Sequence, residues 1–223
     1  MRNLIKRIFD LVLSTAVLII VSPLFLILII VLWLSGDHEI FYTQWRIGYQ
    51  NKAFRIIKFA TMVKDSPNIG TGSITLRNDP RVTKNGKFLR KSKLNELPQI
   101  INVITGDMSL VGPRPQLEAD FIKFPMHIQE ILYNVKPGIT GIGSIVFRDE
   151  EKWISIAPGD KHEFYRQHIA PYKGELELWY QRNISFYTDL MLIFLTAWMI
   201  IASNSNLVFN VFKDLPKKPE ELN

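Results

Sequence analysis

The sequence contains no cysteine and only four histidines, which lie far apart in the chain at His38, His127, His162 and His168. Without thiols the chain can form neither a disulfide scaffold nor a thiolate metal site. The spacing of the histidines also argues against a zinc enzyme, because a zinc site needs three or four nitrogen or sulfur ligands close together.

Charged residues are also scarce, at 22% of a chain of 223 residues in which 47% are hydrophobic. This length suits one globular domain with one or two additional elements. The 27 lysines and arginines exceed the 21 acidic residues, and a net charge of +6 suits RNA, acidic lipid headgroups or phosphorylated ligands. Because the sequence contains no recognisable nucleic-acid-binding motif, we expect no nucleic-acid partner.

From Leu11 to Leu34 the sequence contains no charged residue at all. As a helix, this run would extend about 36 Å at about 1.5 Å per residue, which is enough to cross a hydrocarbon core about 30 Å thick. A cleaved signal peptide is a poorer interpretation, because no Ala-x-Ala pattern follows the run. We predict that residues 1–36 form a membrane-inserted helix, with a buried core helix as the alternative.

The dipeptide Ser22-Pro23 lies in the middle of this run. Pro23 has no N–H to donate to the carbonyl of Ile19, and its ring clashes there, so the helix should kink or break. The hydroxyl of Ser22 can bond to the freed carbonyl, which makes the interruption tolerable in lipid. We predict a re-entrant helix broken at Ser22-Pro23, with a proline-kinked spanning helix as the alternative. Cations on both sides favour the re-entrant form, because they give no inside/outside asymmetry; they are Arg2, Lys6, Arg7, Arg46, Lys52, Arg55 and Lys58.

The remaining sequence predicts an α-rich mixed α/β domain over residues 37–212 and a polar, solvated tail over residues 213–223. The apolar rhythm from Phe54 to Met62 is typical of a strand. A short amphipathic helix should end at Gly106, since apolar residues recur at helical spacing before it, at Leu97, Ile100, Ile101 and Ile104.

Two longer helices are expected later in the chain, from Phe121 to Val135 and from Glu163 to Tyr187. The apolar stretch Leu190–Ala202 is too short to span a bilayer. We expect it to be an amphipathic helix at the membrane interface, with Trp198 at headgroup depth, or else part of the core.

Short motifs follow one another along most of the chain. The densest group contains Asp79-Pro80-Arg81-Val82, Gly86-Lys87-Phe88-Leu89-Arg90-Lys91, Asn95-Glu96-Leu97-Pro98-Gln99, Gly106-Asp107-Met108-Ser109 and Gly112-Pro113-Arg114-Pro115. Two motifs precede this group and one follows it: Gln44-x-Arg46-x-Gly48, Lys58-Phe59-x-Thr61-Met62 and Lys136-Pro137-Gly138-Ile139-Thr140-Gly141. Together with the N-terminal hydrophobic segment, this pattern resembles the bacterial sugar transferase family, the monotopic phosphoglycosyl transferases.

The resemblance implies an enzyme on the cytoplasmic face of the bacterial inner membrane. Such an enzyme transfers a sugar-1-phosphate from a UDP-sugar to undecaprenyl phosphate, giving undecaprenyl-diphosphate-sugar and UMP. This reaction is the first membrane step in the assembly of capsule, exopolysaccharide or O-antigen. The resemblance further implies Mg²⁺ as the cofactor and membrane lipids as partners, and it leaves a homodimer open.

Phosphoryl transfer depends on positioning and charge neutralisation, and several cations lie in or beside the motifs. A guanidinium matches phosphate oxygens with two parallel hydrogen bonds. Arg114 is the strongest candidate, because the preceding glycine and the two flanking prolines should hold its backbone rigid. We predict that four residues bind substrate phosphates, with surface cations as the alternative interpretation; they are Lys58, Arg90, Arg114 and Arg148.

The dipeptide Asn95-Glu96 precedes the helix expected to begin near Leu97. In the structural interpretation, Asn95 is the N-cap of that helix and Glu96 complements the helix dipole in the first turn. The resemblance implies instead that Asn95 and Glu96 are catalytic and that Glu96 binds Mg²⁺, which would bridge the diphosphate of the substrate.

Two positions depart from the family pattern. Asn95 stands where the family usually has an aspartate, held to be the nucleophile of a phosphosugar-enzyme intermediate, and Ala60 stands where an arginine is frequent. A carboxamide is a poor nucleophile toward phosphorus, because its nitrogen lone pair is delocalised and its oxygen carries no full charge. Two hypotheses follow: an active transferase in which Glu96 or the acceptor attacks, and a catalytically impaired membrane-bound scaffold that keeps the ligand pocket.

Overall fold

The computed structural model describes residues 2–35, 38–64, 66, 79–157, 159–202 and 206–222. The α-helices are α1 (Arg2–Trp33), α2 (Lys84–Lys91), α3 (Gln99–Thr105), α4 (Glu118–Phe121), α5 (Met126–Gln129), α6 (Ile142–Val146), α7 (Glu150–Ile156), α8 (Lys161–Phe164), α9 (Ala170–Arg182), α10 (Phe186–Ile201) and α11 (Leu207–Val211). The strands are β1 (Phe41–Ile47), β2 (Ala53–Phe59), β3 (Ser109–Val111) and β4 (Gly138–Thr140). The described residues thus form the expected helix-rich fold with small sheets.

The N-terminal helix α1 is one continuous element of 32 residues with Pro23 inside it. Helical conformation continues on both sides of the proline, so the chain does not break at Ser22-Pro23. A kink at Pro23 remains compatible with a continuous helix, and the re-entrant form stays a prediction. The predicted local compensation is confirmed: Ser22 Oγ donates a hydrogen bond of 2.8 Å to the carbonyl oxygen of Ile19, the acceptor that Pro23 leaves unused. From Leu4 to Trp33 the helix is long and apolar enough to cross a membrane, with a mean hydropathy of 3.1.

Both ends of α1 lie against the globular domain. Near the start of the helix, Lys6 forms an ion pair of 2.6 Å with Asp189 of α10. Near its end, Leu28 is buried in a small core together with Phe59 of β2 and Leu89 of α2. The helix therefore runs along the domain and does not leave it at either end.

The first turns of α1 are bonded to the backbone of the domain. Arg7 donates hydrogen bonds to the carbonyl oxygens of Val103 and Ile104 in the last turn of α3. The carboxylate of Asp10 is buried, and it accepts hydrogen bonds from Ser109 Oγ at 2.8 Å and from the next backbone N–H at 3.2 Å. Charged residues at the start of α1 thus fix this helix to both α3 and β3.

The two sheets position the chain around the candidate site. β1 and β2 pair antiparallel, and β2 carries Lys58. β3 and β4 pair in parallel. The backbone approaches itself closely just after β3, because a Cβ on Gly112 would lie 2.3 Å from the carbonyl oxygen of Lys136. Only glycine fits there, and this contact fixes the chain two residues before Arg114.

The largest core surrounds α9, and the helix predicted from Glu163 to Tyr187 is only partly correct. A π-helical turn, Tyr165–Ile169, precedes α9, because Pro171 has no N–H with which to continue the α-helical hydrogen bonds. The helix then ends at Arg182. A new helix, α10, starts where Ser185 accepts a hydrogen bond from a backbone N–H in its first turn.

The helix predicted from Phe121 to Val135 is wrong. The chain forms the two short helices α4 and α5, and Pro125 is the N-cap residue of the second. Proline disfavours helical conformation in the residue before it, which separates the two helices at Phe124. Two other predictions are confirmed: β2 lies largely within the expected strand, and Gly106 ends α3 with a positive φ of 99°.

The last two segments predicted from the sequence, the apolar stretch Leu190–Ala202 and the tail over residues 213–223, both contact the core. In α10, Leu192 and Leu195 are fully buried, whereas Phe194 and Trp198 are exposed on another face of the helix, so a location at the membrane interface stays a prediction for that face alone. The tail was predicted to be solvated throughout, but Leu222 is fully buried in the main core.

Candidate active site

Three of the predicted site residues meet in one ion cluster. Arg114 donates to both carboxylate oxygens of Glu96, with 2.6 Å from Nη2 to Oε1 and 3.3 Å from Nη1 to Oε2. Lys58 Nζ lies 3.1 Å from Oε1 of the same carboxylate. The side chain of Glu96 is only 13% exposed. Two cations and one carboxylate thus share a nearly buried site with an excess of positive charge.

The cations keep Glu96 ionised. Burial by itself raises the pKa of Glu96, but Arg114 and Lys58 outweigh burial and hold the pKa well below its usual range. Burial lowers the pKa of Lys58 to about 7, although Glu96 opposes this change. The charge on Glu96 raises the pKa of Arg114. The site therefore presents a permanent guanidinium and a lysine whose charge depends on pH near neutrality.

Local backbone features place Glu96 and Arg114. Glu96 ends a single 3₁₀ turn that follows Lys93, whose φ of 60° is left-handed and uncommon for a residue other than glycine. The backbone of Arg114 is bonded on both sides: its N–H donates to Glu177 Oε1 at 3.4 Å, and its carbonyl oxygen accepts from the Tyr133 hydroxyl at 2.8 Å. The flanking prolines restrict it further, so the backbone of Arg114 is held on both sides.

A cavity of about 290 Å³ opens beside the ion cluster. Four charged residues line it: Lys93, Glu96, Arg114 and Arg148. Most of the other lining residues are apolar, and they come from α1, from the segment that includes α3, and from β3, β4, α6 and α10. The cavity therefore combines an excess of cations with a largely apolar wall.

Two polar atoms near this cavity are left without a partner. Ser144 Oγ and Arg148 Nη1 are buried atoms that make no hydrogen bond within the described residues. Buried polar groups are normally hydrogen-bonded, so both donors are available to a bound ligand. The structure thus brings Arg148 to the same cavity as Arg114 and Glu96, as the phosphate-binding prediction requires.

Asn95 does not cap a helix, and the structural interpretation of Asn95-Glu96 is therefore wrong. Helix α3 begins only at Gln99, and its N-cap residue is Pro98, with no side-chain hydrogen bond. Asn95 lies in the preceding 3₁₀ turn, where its side chain is buried. Its Oδ1 accepts no hydrogen bond in the part of the chain that the structure describes.

Two predicted phosphate-binding residues do not line this cavity: Lys58, which contacts Glu96 in the ion cluster, and Arg90. Arg90 lies on α2 and forms an ion pair of 2.6 Å with Glu151. Three further residues of the site were not predicted from the sequence: Lys93, Ser144 and Glu177. The sequence carries no signal that separates the buried Glu177 from Glu175, which lies on the same helix and is partly exposed.

The site offers few ligands for a metal ion. No three histidine, cysteine, aspartate or glutamate side chains come together among the described residues in a way that could hold a metal. The available oxygens are the carboxylate of Glu96 and the unbonded amide oxygen of Asn95. Mg²⁺ in phosphate-transfer sites is usually held by one or two protein oxygens together with substrate phosphates and water. The residues fit that pattern and do not form a dedicated metal cage.

Comparison with known proteins identifies the family and several relatives of this chain. The sequence profile described as bacterial sugar transferase matches residues 1–203. The uncharacterized sugar transferase EpsL of Bacillus subtilis is 35% identical over 200 residues, which cover 90% of this chain and 89% of EpsL. The exopolysaccharide production protein ExoY of Sinorhizobium fredii is 32% identical, with 90% of this chain and 87% of ExoY covered.

The UDP-glucose:undecaprenyl-phosphate glucose-1-phosphate transferase of Escherichia coli is 36% identical over 88% of this chain, which spans only 40% of that longer protein. An apolar N-terminal helix, a cation-lined cavity and these relatives together define a sugar-phosphate transferase. The match covers nearly the whole chain. The protein belongs to the bacterial sugar transferase family.

Proposed function

We propose that the protein transfers a sugar-1-phosphate from a UDP-sugar to undecaprenyl phosphate, giving undecaprenyl-diphosphate-sugar and UMP. The observation that carries this proposal is the convergence of Lys58 and Arg114 on Glu96, beside a cavity with apolar walls. Cations suited to a diphosphate thus adjoin a surface suited to a lipid. Relatives named as undecaprenyl-phosphate glucose and galactose phosphotransferases support the choice of acceptor.

The route that we propose is direct attack by the acceptor. An oxygen of the acceptor phosphate attacks the β-phosphorus of the UDP-sugar, the bond from that phosphorus to the bridging oxygen breaks, and UMP leaves with the electron pair. Asn95 is a poor nucleophile, and Glu96 is a weakened one because both its oxygens already accept hydrogen bonds. The acceptor phosphate needs no base, since it is anionic near neutral pH. Lys58 and Arg114 would hold the donor diphosphate in place for the attack.

Mg²⁺ is the cofactor that we expect at this site. Glu96 and the amide oxygen of Asn95 would hold it together with phosphate oxygens of the substrate. When bound, the ion would neutralise part of the charge of the diphosphate. Lys58 and Arg114 supply the same kind of neutralisation from the protein. We therefore expect a chelator to reduce turnover strongly.

We infer that α1 enters and leaves the membrane from the cytoplasmic side. Contacts of both its ends with one domain support this arrangement, through Lys6 at the start and Leu28 near the end. Because the chain has no native cysteine, single cysteines replacing Arg2 and Asp37 can report which side each end faces. We expect an impermeant thiol reagent to label both from the cytoplasmic side. Labelling from opposite sides would contradict a re-entrant helix.

The direct test of the function uses purified protein in lipid nanodiscs. Incubation with undecaprenyl phosphate and a series of radiolabelled UDP-sugars should give UMP and a lipid-linked product in equal amounts. Glu96→Gln should abolish turnover, because the carboxylate that positions Lys58 and Arg114 loses its charge. With UDP-sugar alone, direct attack predicts no covalent phosphosugar on the protein. An adduct on Glu96 would establish the two-step route instead.

The catalytically impaired scaffold is tested by the same assay. Its support is Asn95, which replaces the aspartate usual in the family. If the natural chain binds a UDP-sugar but releases no UMP, while Asn95→Asp restores release, the chain is a ligand-binding scaffold. If the natural chain turns over, the scaffold hypothesis is refuted.

A further inference from the structure

The apolar part of the cavity is continuous with the membrane-type helix. Val17 contributes to the wall from within the apolar run of α1, and it faces Ile145 of α6 and Met199 of α10 around the cavity. The stretch of α1 that carries Val17 is long and apolar enough to lie in a bilayer. A hydrocarbon chain could therefore pass from the lipid surrounding α1 into the cavity without crossing water.

The polar part of the cavity has unused hydrogen-bond donors. Arg148 Nη1 and Ser144 Oγ are buried and have no hydrogen-bond partner in the described ranges. The two residues are four positions apart in the chain and line the same cavity. An unpaired buried donor is costly, so an anion that accepts from both groups would gain free energy on binding. Glu96 does not fill this role, because its oxygens are engaged by Lys58 and Arg114.

We propose that the part of this cavity lined by Val17, Ser144, Ile145, Arg148 and Met199 is the subsite for the acceptor lipid. It takes the phosphate and the first isoprene units of a polyprenyl phosphate, with Arg148 and Ser144 donating to the phosphate oxygens. This assignment rests on the proposed function and adds to it the division of the site into two phosphate-binding parts. Lys58 and Arg114 belong to the donor part, and Arg148 and Ser144 belong to the acceptor part.

The polarity of the cavity favours this occupant over the nucleotide sugar. Ligand pockets usually measure about 300–1,000 Å³, and this cavity, at about 290 Å³, lies at the lower end of that range. A uridine or a sugar would place its many polar groups against Val17, Ile145 and Met199, where they would lose hydrogen bonds to water. A phosphomonoester on a hydrocarbon chain matches both parts of the cavity.

Direct lipid binding tests the subsite without requiring turnover. The full chain in nanodiscs would be titrated with fluorescent undecaprenyl phosphate. Val17→Trp fills the apolar part, and Ile20→Trp is the matched control, since Ile20 lies on the same helix and is 76% exposed. We expect Val17→Trp to weaken lipid binding at least tenfold and Ile20→Trp to change it less than twofold. Ser144→Ala, which removes only one hydroxyl, should weaken it about five- to tenfold.

Binding of UDP-sugar in the absence of acceptor should stay within twofold of the natural chain in all three variants, because they leave Lys58 and Arg114 intact. Unlabelled phosphatidic acid serves as a competitor with a phosphomonoester on a different apolar chain. Unchanged undecaprenyl phosphate binding in both Val17→Trp and Ser144→Ala, or equal competition by phosphatidic acid, would overturn the assignment. Failure of the proposed transfer reaction would appear separately, as the absence of UMP release with lipid binding retained.

Discussion

Replacing Glu177 by glutamine should change how the stability of the protein depends on pH. Glu177 lies on α9 with only 2% of its surface exposed, and one of its oxygens accepts the backbone N–H of Arg114. Burial raises its pKa from 4.5 to about 7, although the Arg114 N–H, the charge of Lys173 and the charge of Arg114 all oppose this change. The folded protein therefore holds a proton on Glu177 under conditions in which the unfolded chain has lost it.

The sign and size of the effect follow from proton linkage. Because the folded pKa is raised, the stability that protonated Glu177 contributes is fully present below pH 4.5 and is lost as the pH rises to about 7. Each unit of pKa shift corresponds to about 1.4 kcal/mol, so the loss above pH 7 approaches roughly 3 kcal/mol. At about 2–4 °C per kcal/mol for a chain of this size, the melting temperature should fall by roughly 6–12 °C. Glutamine stays neutral and avoids this loss.

Thermal unfolding of the natural chain and two variants between pH 5 and pH 8 measures the effect. The Tm of Glu177→Gln relative to the natural chain should rise with pH across this range. Glu175→Gln is the control, because Glu175 lies on the same helix with a side chain that is 44% exposed. Tyr133 and Tyr180, the neighbouring phenols, do not titrate in this range because burial raises the pKa of each. Parallel curves for all three proteins would refute the reasoning.

Three further predictions concern the site and its support. Arg114→Lys keeps the charge but loses the two-pronged contact with Glu96, so kcat/KM in the UMP-release assay should fall at least tenfold, and an unchanged value would remove Arg114 from the site. Asp10 accepts hydrogen bonds from two donors, and the asparagine in Asp10→Asn offers only one acceptor oxygen, so one donor would face an amide N–H and lose its bond. The free energy of unfolding should therefore fall by about 1–3 kcal/mol, and equal melting curves would contradict this. Asn95→Asp should be tolerated, with UMP release equal to or above that of the natural chain, and a loss of release would show that the carboxamide itself is required.

The sequence motifs selected three residues that the structure brings together, although their roles stay predictions. Lys58, Glu96 and Arg114 each lie within a short motif, and turn-forming residues around Arg114 restrict its backbone. Such local restrictions can be recognised from sequence alone. The cluster itself could not, because the contact between Glu96 and Arg114 depends on β3 and β4 pairing and on the close approach at Gly112.

Helix boundaries were predicted less well where proline overrode hydrophobic periodicity. Pro125 divides a segment that reads as one helix, and Pro171 forces a π-helical turn into another. Pro23 acts differently, because Ser22 accommodates the missing hydrogen bond and the helix continues. The effect of a proline thus depends on whether a neighbouring group can bond to the freed carbonyl, and the sequence does not reveal that for every case.

The largest gap between sequence and structure concerns the start of α1. Lys6 and Arg7 read as cations that flank a membrane segment, yet in the structure they bond to Asp189 and to the end of α3. Asp10 bonds to β3, which leads directly to Arg114. About two helical turns further along α1, Val17 lines the cavity. In the sequence, a hydrophobic run followed by a polar domain suggests a membrane helix that is structurally separate from the enzyme domain. The contacts of Asp10 and Val17 show instead that α1 lines the cavity and bonds to the elements that position Arg114. Exchange of α1 for an unrelated membrane helix should therefore impair the site even when membrane attachment is preserved.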